Sequence, residues 1–314
     1  MKVYLKFICC FFITMSITGC SSQGEKKSDE TKAPVVSTPK NFERPIPPPI
    51  MTNQKDQAGY VLEHYWDKFD FSDTMYCHVP EITERAFYEF ISIFKFASKE
   101  KIYSAVKKLL DNAQVDVVMY NYFHKKGEDY LYNPNSTTRN DEYFIPFLEH
   151  LVNSSMVVEQ DKVRPRYQLN LAYKNRLGEK ASDFIYTLNS GATGNLYGIT
   201  TKYTLLMFFN PDCKECRETT AEIKRSAVIS AAISAGNLKI LSVYPDENIE
   251  IWRSHLSEIP TSWINGYDKN QSVRKKEIYD LIAIPMLYLL DKEKIVLLKD
   301  ATVTEIQEYL EKNQ

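Results

Sequence analysis

Two cysteines separated by two residues, Cys213 and Cys216, have the types and spacing of a redox-active pair. They follow a short apolar run, 203–210, and open a segment with helical periodicity. Free backbone N–H groups and the helix dipole stabilise a thiolate at the first turn of a helix. Because the thiolate is the form that attacks disulfides, we predict that Cys213 is a nucleophile. Cys216 lies one helical turn later, where it can resolve a mixed disulfide within the same molecule.

A pair of cysteines with this spacing is also half of a common zinc site. The sequence has no second pair, and Cys77, which stands beside His78, belongs to a different predicted domain. One cysteine with one histidine lacks the ligand count of a structural zinc site. We therefore predict no metal and no other cofactor, and we interpret Cys77 as a packed cysteine near a loop.

The elements that must position the cysteine pair alternate between strands and helices. Continuous short apolar runs bounded by turn residues are typical of buried strands. We predict strands over 203–210, 238–244, 286–290 and 295–299, and helices from Cys213 to Ala235 and over 247–256, 272–281 and 302–312. A tight turn joins the last two strands. The order is therefore strand, helix, strand, then a β-hairpin and a final helix.

Two segments of this region resemble a known family. They are FFNPDC over 208–213, and Ile284-Pro285 just before a predicted strand. The region from about residue 176 to the end resembles the thioredoxin-like lipoproteins and periplasmic reductases of the TlpA/ResA type. The resemblance implies that Pro285 follows a cis peptide bond, packs against the cysteine pair and leaves the backbone of Ile284 available to substrate. Taken alone, Pro285 also fits a trans proline at the start of a strand.

The sequence departs from this family near the cysteine pair. Lys214 and Glu215 occupy the intervening positions in place of Gly-Pro or Pro-His, and Met207 stands where thioredoxin has a buried acid. Proton transfer to and from Cys216 then requires water or a nearby carboxylate, Glu215 or Asp212. Alternatively, both carboxylates are solvated loop charges. Lys214 either favours the neighbouring thiolate or is an exposed lysine without a role.

The first residues have the features of an export signal. A basic start with Lys2 and Lys6 leads into an apolar run, 7–17, that is too short to span a bilayer. Ile17-Thr18-Gly19-Cys20 resembles the lipobox of bacterial lipoproteins, with Ile where Leu is usual, and this implies acylation of Cys20. An ordinary secretory leader with a chance cysteine is the alternative. We predict a lipoprotein signal peptide over residues 1–19.

A flexible linker is predicted over residues 20–52. This segment is rich in Ser, Lys, Glu and Pro and lacks apolar periodicity, which favours an extended spacer. No later segment has enough consecutive apolar residues to span a membrane. We therefore expect a lipid-anchored protein of the bacterial cell envelope that faces the periplasm.

Residues 53–174 show helical periodicity and no alternating strand pattern. YWD over 65–67 and FDF over 69–71 resemble the helical domain of unknown function that precedes thioredoxin-like domains in some exported lipoproteins. Ser98 stands at the N-cap of one predicted helix. We predict helical segments over 60–69, 87–96, 99–110, 115–123, 141–153 and 165–173, with a turn at 133–136. The predicted fold class is α+β overall, with an all-α N-terminal domain over 53–174 followed by an α/β thioredoxin-like fold over 175–314.

Composition agrees with two globular domains of ordinary size. The chain has 314 residues, of which 44% are hydrophobic and 25% are charged. The formal net charge of −2 argues against a nucleic-acid partner, because proteins that bind nucleic acids normally carry a strongly basic face.

These observations support one leading functional hypothesis. It is an envelope thiol–disulfide oxidoreductase that uses Cys213 and Cys216 to reduce or exchange disulfides in exported proteins, with a membrane electron donor. Ile284 is similar to the residue that reducing members carry before the proline, which slightly favours the reductase direction; the sequence otherwise leaves the direction open.

The alternative is an interaction or scaffold lipoprotein whose helical domain binds an envelope partner, with the thioredoxin fold mainly structural. The intact cysteine pair argues against this hypothesis, because a structural copy needs neither thiol. A peroxidase is disfavoured because Asn210 stands where a threonine is expected before the reactive cysteine.

Overall fold

The computed structural model describes residues 41–313. The predicted signal peptide, Cys20 and the linker residues up to 40 lie outside this range. Within it, a helical half is followed by a half built on a β-sheet, as predicted, and both belong to one compact unit. None of the helices in this range is long and apolar enough to cross a membrane.

Six α-helices form the described helical half. They are α1 (Gln54–His64), α2 (Thr83–Ser92), α3 (Lys99–Ala113), α4 (Val117–Leu131), α5 (Asp141–Asn153) and α6 (Val163–Ala172). Helix α5 has the bounds that the sequence predicts. No strand interrupts this part of the described chain, so the all-α prediction is confirmed.

Side-chain caps set where two of these helices begin. Ser98 caps α3 as predicted, its hydroxyl accepting a backbone N–H at 3.4 Å. Helix α4, predicted over 115–123, begins instead at Val117, because the carboxylate of Asp116 accepts two backbone N–H groups at 2.7 and 3.4 Å. It continues to Leu131 because buried positions recur at helical spacing that far.

Aromatic side chains fill the centre of the helical half. The ring of Trp66 lies 5.3 Å from that of Phe69 and 5.1 Å from that of Phe123. Residues 65–68 form turns after α1, not the predicted end of a helix, and this brings the rings of Tyr65, Trp66 and the following Phe69 into the core. Phe42, in the predicted linker, also packs against Trp66, at 5.5 Å. The packed part of the chain therefore begins before α1.

A mixed sheet of seven strands forms the second half of the described chain. The strands are β1 (Ile185–Leu188), β2 (Thr193–Asn195), β3 (Tyr203–Phe208), β4 (Leu238–Tyr244), β5 (Ile264–Tyr267), β6 (Met286–Asp291) and β7 (Val296–Lys299). They lie in the order β2-β1-β5-β4-β3-β6-β7, with β3, β4 and β5 parallel to one another. Core clusters cover both faces of the sheet, and every residue of β3 is buried.

Strands β1, β2 and β5 are absent from the sequence prediction. Each has only three or four residues, which is too short to display the period of two that identifies a strand. Strand β5 also contains Asn265 and Gly266, residue types that are depleted in strands. The four strands that the sequence does predict are all present.

Five α-helices accompany the sheet in the described chain. They are α7 (Lys214–Arg225), α8 (Ala227–Ser234), α9 (Ile249–Ser254), α10 (Ser272–Lys275) and α11 (Val303–Lys312). The prediction of one helix from Cys213 to Ala235 is wrong. Ser226 is extended, with φ −68° and ψ 114°, and its hydroxyl caps α8 by accepting the N–H of Ile229 at 3.2 Å. The chain therefore turns between α7 and α8.

The predicted helix over 272–281 is also wrong, because α10 ends at Lys275. Glu277 has a left-handed backbone with φ +53°, which stops a right-handed helix. The chain beyond it carries Tyr279 into the core, where its hydroxyl donates to the carbonyl of Ser182 at 2.7 Å. Packing of this ring, not local propensity, determines the path.

Ion pairs join the helical half to the sheet. Lys299 of β7 lies 2.9 Å from Asp141 of α5, and both side chains are nearly buried. Arg176, after α6, donates two hydrogen bonds to Glu142 of α5 at 2.8 and 2.6 Å. Removing one partner of a buried pair is strongly destabilising, so these contacts hold the two halves in one arrangement.

Candidate active site

The cysteine pair lies where β3 leads into α7. Cys213 is the N-cap residue of α7, with an extended backbone of φ −76° and ψ 129°, and Cys216 lies one turn inside the helix. Cys213 is half-buried and Cys216 is completely buried, and both are free thiols. The first sulfur is therefore open to a substrate and the second is shielded from solvent.

Asn210 organises the loop between β3 and α7. Its side-chain oxygen accepts the N–H of Asp212 at 2.9 Å, and its carbonyl accepts the N–H of Cys213 at 3.0 Å. Its own N–H points at the sulfur of Cys216 at 3.4 Å. This one residue therefore contacts the backbone of the first cysteine and the sulfur of the second.

Asp246, which follows β4, connects this loop to the segment before Pro285. Its Oδ2 accepts a hydrogen bond from Asn210 Nδ2 at 3.0 Å, and its Oδ1 accepts one from Arg274 Nη2, also at 3.0 Å. Arg274 in turn donates from Nη1 to the carbonyl of Leu281 at 3.3 Å. A continuous polar network thus runs from the cysteine loop to the chain that leads to Pro285.

Two groups lie close to the sulfur of Cys213. Oε2 of Glu215 lies at 3.2 Å and the carbonyl oxygen of Ile284 at 3.8 Å. The Ile284–Pro285 peptide bond is cis, as the resemblance implies. A hydrogen bond from its own backbone N–H, and then the Cys213 thiol, lower the pKa of Glu215. The carboxylate is thus charged where it faces the first cysteine.

Cys216 has no acid beneath it on β3. Met207 stands at that strand position and is completely buried. Burial raises the pKa of the Cys216 thiol well above its ordinary value, and the N–H of Asn210 opposes this only in part. The second thiol therefore holds its proton tightly and needs an acceptor for it during the reaction.

The charged residues beside the pair make contacts of their own. The ammonium of Lys214 lies 3.5 Å from the carboxylate of Glu218, and both side chains are exposed. Asp212 is exposed as well, and its Oδ1 lies 3.8 Å from Nε2 of His255, the residue that follows α9. The structure thus places His255 beside the cysteine loop, although the sequence analysis assigns this histidine no role.

A cavity of about 280 Å³ lies beside Cys216. Its walls come from the loop before α7, from one face of α7 and from the segment after α9. The apolar part of the wall includes Phe209 and Ile259, and the polar part includes Thr220, His255 and Glu258. Cys216 therefore forms part of the wall of a space that is large enough for water and has polar groups in its lining.

The structure brings Cys213, Cys216 and Ile284 together, with Pro285 next to Ile284 in the chain, and the sequence interpretation misses several polar neighbours. Asn210 and Asp246 follow the adjacent parallel strands β3 and β4, whose carboxyl ends meet at one edge. Prediction of β3 and β4 as parallel neighbours would therefore have placed both residues near the site. His255 gives no such signal, because its position depends on how α9 packs.

Cys77 lies apart from this site, in the helical half. Its sulfur is 3.8 Å from that of Met119, and burial raises the pKa of the thiol to about 11. It packs against the aromatic core, as predicted. Within residues 41–313, no group of three or more His, Cys, Asp or Glu side chains is arranged to hold a metal ion.

Comparisons with known proteins cover both halves. A family model, the domain of unknown function DUF5106, matches residues 19–175. A thioredoxin-like protein from Bacteroides caccae has a similar structure, with 46% identity, a TM-score of 0.84, and coverage of 88% of this chain and 100% of that chain. No curated protein matches the chain.

Two further solved structures are similar to part of the chain. The C-terminal domain of an uncharacterized protein from Bacteroides fragilis has 50% identity and a TM-score of 0.43, over 44% of this chain and 98% of that chain. The thioredoxin domain of a thiol-disulfide oxidoreductase from Bacteroides vulgatus has 22% identity and a TM-score of 0.40, over 44% of this chain and 97% of that chain. The DUF5106 match and the likeness to the Bacteroides caccae protein over 88% of this chain show that the chain belongs to the DUF5106 family, with a thioredoxin-like domain after its helical half.

Proposed function

We propose that this protein is a thiol–disulfide oxidoreductase that exchanges a dithiol for a disulfide through Cys213 and Cys216. The observation that carries the proposal is the asymmetry of the pair. The Cys213 sulfur is accessible at the N-terminus of α7 and faces the carbonyl of Ile284 at 3.8 Å, while Cys216 is buried one turn behind it. This arrangement supports an attacking thiol and a resolving thiol.

In the reducing direction, the Cys213 thiolate attacks one sulfur of a substrate disulfide. The substrate S–S bond breaks, a mixed disulfide with Cys213 forms, and the first substrate thiolate leaves with an electron pair. Cys216 then loses its proton and attacks the Cys213 sulfur. The mixed disulfide breaks, the second substrate thiolate leaves, and the protein retains the Cys213–Cys216 disulfide. The substrate has gained the electron pair that the dithiol has lost.

The backbone next to Pro285 supports one direction of approach for a protein substrate. The carbonyl of Ile284 lies beside the reactive sulfur and can accept a backbone N–H from an extended substrate segment. Its side chain packs at the edge of both sheet-half core clusters. We therefore assign Ile284 and Pro285 to substrate positioning.

The proposed setting is the bacterial cell envelope. A lipid on Cys20 would hold the folded part on the periplasmic side of a membrane, where exported proteins carry disulfides. Repeated reduction there requires an electron donor associated with the membrane, because the compartment is oxidising. The substrates are disulfides of exported proteins.

Insulin reduction by dithiothreitol tests the activity. The wild-type protein should accelerate the reaction, and Cys213→Ser should abolish the acceleration. Cys77→Ser, which removes the remote thiol, should retain it. Full activity of Cys213→Ser would contradict the nucleophile assignment. Cys216→Ala should accumulate mixed disulfides, which gel shifts under non-reducing conditions would show.

The reduction potential of the pair tests the direction. A value near that of thioredoxin, about −270 mV, supports the reductase version, whereas a value near that of a strong periplasmic oxidant, about −120 mV, contradicts it. The measurement uses equilibration with glutathione buffers and quantifies both thiols after alkylation. The Cys77→Ser protein serves here, since its only remaining thiols in the described chain are the pair.

One observation favours a second candidate, a binding role for the helical half. A cleft of about 570 Å³ opens between α3 and α5, and Lys107 and Glu149 are among the residues that line it. His150 lies in it, with Nε2 at 3.1 Å from Asp111. Under this alternative an envelope partner binds the helical half. A Cys213→Ser and Cys216→Ser double variant that still cross-links to the same envelope partners as the wild type would support it.

A further inference from the structure

The Cys216 thiol needs a proton acceptor, and the cysteine pair itself does not supply one. Cys216 must lose its proton before it can attack the mixed disulfide, yet burial favours the protonated form and Met207 supplies no acid or base. Glu215 lies 3.2 Å from the sulfur of Cys213, the first thiol. The acceptor of the second proton must therefore come from another side.

His255 lines the cavity that borders Cys216. It stands at the end of α9, across the cavity from the face of α7 that carries Cys216 and Thr220. The cavity of about 280 Å³ has room for several waters, since a water occupies about 30 Å³ in the liquid. Waters in this cavity can thus span the space between the wall that includes Cys216 and the imidazole.

Hydrogen bonds fix which nitrogen of His255 can accept a proton. Nδ1 lies 2.9 Å from the carbonyl oxygen of Ile251 and 3.0 Å from the hydroxyl of Ser254, which itself donates to that carbonyl. Because a carbonyl only accepts hydrogen bonds, Nδ1 carries the hydrogen and Nε2 carries the free lone pair. Nε2 is the nitrogen that faces the cysteine loop, 3.8 Å from Oδ1 of Asp212. The ring is therefore oriented as a base toward the site.

The charges around His255 come from three elements. Asp212 of the cysteine loop and Glu258 of the turn after α9 place carboxylate oxygens 3.8 and 3.9 Å from Nε2. Arg217 and Lys224 of α7 also line the cavity, but each donates to a backbone carbonyl, at 2.9 and 3.3 Å. The two carboxylates face Nε2 with a charge opposite to that of an imidazolium, while the cations are held by other partners.

We propose that His255 accepts the proton of Cys216 through water in this cavity, with Asp212 and Glu258 stabilising the resulting imidazolium. The proposal rests on the proposed dithiol exchange and concerns its second step. In that step the Cys216 S–H bond breaks, its proton passes to Nε2, and the new thiolate forms the Cys213–Cys216 bond. The substrate thiolate that leaves takes up a proton from the imidazolium or from solvent, which returns His255 to its neutral form.

Reaction with Ellman's reagent separates the two steps, because each releases one coloured thiolate. Attack by Cys213 gives the first release, and attack by Cys216 on the mixed disulfide gives the second. The measurement is stopped-flow absorbance on the reduced Cys77→Ser protein across a range of pH. Cys213→Ser should lose both releases, and retention of both there would contradict the underlying dithiol exchange.

His255→Asn is the main variant, because its amide nitrogen can replace the Nδ1 donor to Ile251 without offering a base. We expect the second release to slow by about 10-fold to 100-fold near neutral pH, with the first release within about twofold of wild type. The wild-type step in the pH profile of the second release should disappear. His78→Asn, at an exposed histidine of the helical half, is the matched control and should behave as wild type.

A second variant tests the same role in case the His255→Asn substitution disturbs folding. His255→Ala leaves space for a small base, and added imidazole should restore the second release without changing the first. Unchanged second release and unchanged pH profile in both variants would overturn the role of His255 and leave the dithiol exchange intact. Equal slowing of both releases without rescue by imidazole would also overturn it, since that is the result of a structural defect.

Discussion

Asn210 donates a 3.0 Å hydrogen bond to Asp246, and this contact joins the ends of the two central strands. Strands β3 and β4 are parallel neighbours, so the loops after them leave the sheet at the same edge. Asn210 also contacts Cys213 and Cys216, while Asp246 holds Arg274 and, through it, the carbonyl of Leu281. The cysteine loop and the chain leading to Pro285 are thereby held by one carboxylate.

Replacing that carboxylate should affect both stability and activity. In Asp246→Ala, the side-chain amide of Asn210 and the guanidinium of Arg274 lose a charged partner, which costs about 1–3 kcal/mol of unfolding free energy. Because the cysteine loop also loses its support, insulin reduction should fall by several-fold. Urea unfolding measures the loss of stability, and the turbidity of precipitating insulin measures the loss of activity. Glu247→Ala, at the exposed neighbouring position, is the control, and equal behaviour of the two variants would contradict this role of Asp246.

Glu215 should slow the chemistry of the accessible thiol. Its charged carboxylate lies 3.2 Å from the Cys213 sulfur, and a negative group at that distance opposes formation of a thiolate. We expect Glu215→Gln to speed alkylation of Cys213 by iodoacetamide by about 2-fold to 10-fold at neutral pH. The gain should shrink in high salt, because the carboxylate is exposed.

Glu218→Gln is the matched control for this experiment. Glu218 carries the same charge one turn further along α7, where it pairs with Lys214 at 3.5 Å. Its replacement should leave the alkylation rate of Cys213 within about twofold of wild type. Mass spectrometry assigns the alkylated residue. Equal acceleration in both variants would show a general effect of charge on α7 and not a specific contact of Glu215.

The cysteine pair could be placed from the sequence because its position depends on local order. A buried strand followed by a helix puts Cys213 at the helix N-terminus whatever surrounds it. Local order does not predict that Asp246 and His255 lie near the site. Their contacts with the site require the strand order and the packing of α9, which are long-range properties. The sequence thus identifies the thiols but not the groups that support them.

The same difference between local and long-range properties separates the elements whose bounds are predicted correctly from those whose bounds are not. Strand β4 and helix α5 have their predicted bounds because their residues repeat a clear local pattern. Helix α10 stops early since Tyr279 is needed in the core, and Ser226 interrupts the predicted long helix by capping α8. Local patterns predict that an element forms, but tertiary packing and capping determine its bounds.

Phe42 provides a test of where the folded part begins. The sequence places it in a flexible linker, yet its ring lies 5.2 Å from Phe69 and beneath the guanidinium of Arg44, at 4.1 Å. Phe42→Ala should lower the unfolding free energy by about 2–4 kcal/mol, as expected when a buried aromatic ring is removed. Ile46→Ala is the control, since Ile46 is 85% exposed and its loss should cost less than about 0.5 kcal/mol. Equal unfolding midpoints for both variants in urea would contradict the packing of Phe42.

His124 of α4 should make the stability of the protein depend on pH. Its Nε2 is shielded from solvent and has no hydrogen-bond partner within residues 41–313, and burial, with a smaller effect of His150, lowers the pKa of His124 to about 3. In the unfolded chain a histidine has a pKa of about 6.5, so only the unfolded state binds this proton between the two values. The contribution to stability is therefore complete above about pH 6.5 and is lost as the pH falls toward 3.

Linkage gives the size of this effect and the way to measure it. At pH 5 the loss amounts to about 2 kcal/mol, at about 1.4 kcal/mol for each pH unit below 6.5. His124→Gln removes the titrating group, so its unfolding free energy should fall less than that of wild type between pH 7 and pH 5, by about that amount. His78→Gln removes an exposed histidine and should retain the wild-type dependence. If His124→Gln and wild type lost the same stability on acidification, the imidazole of His124 would have to be protonated in the folded protein, and the helical core would then have to supply a partner for its charge.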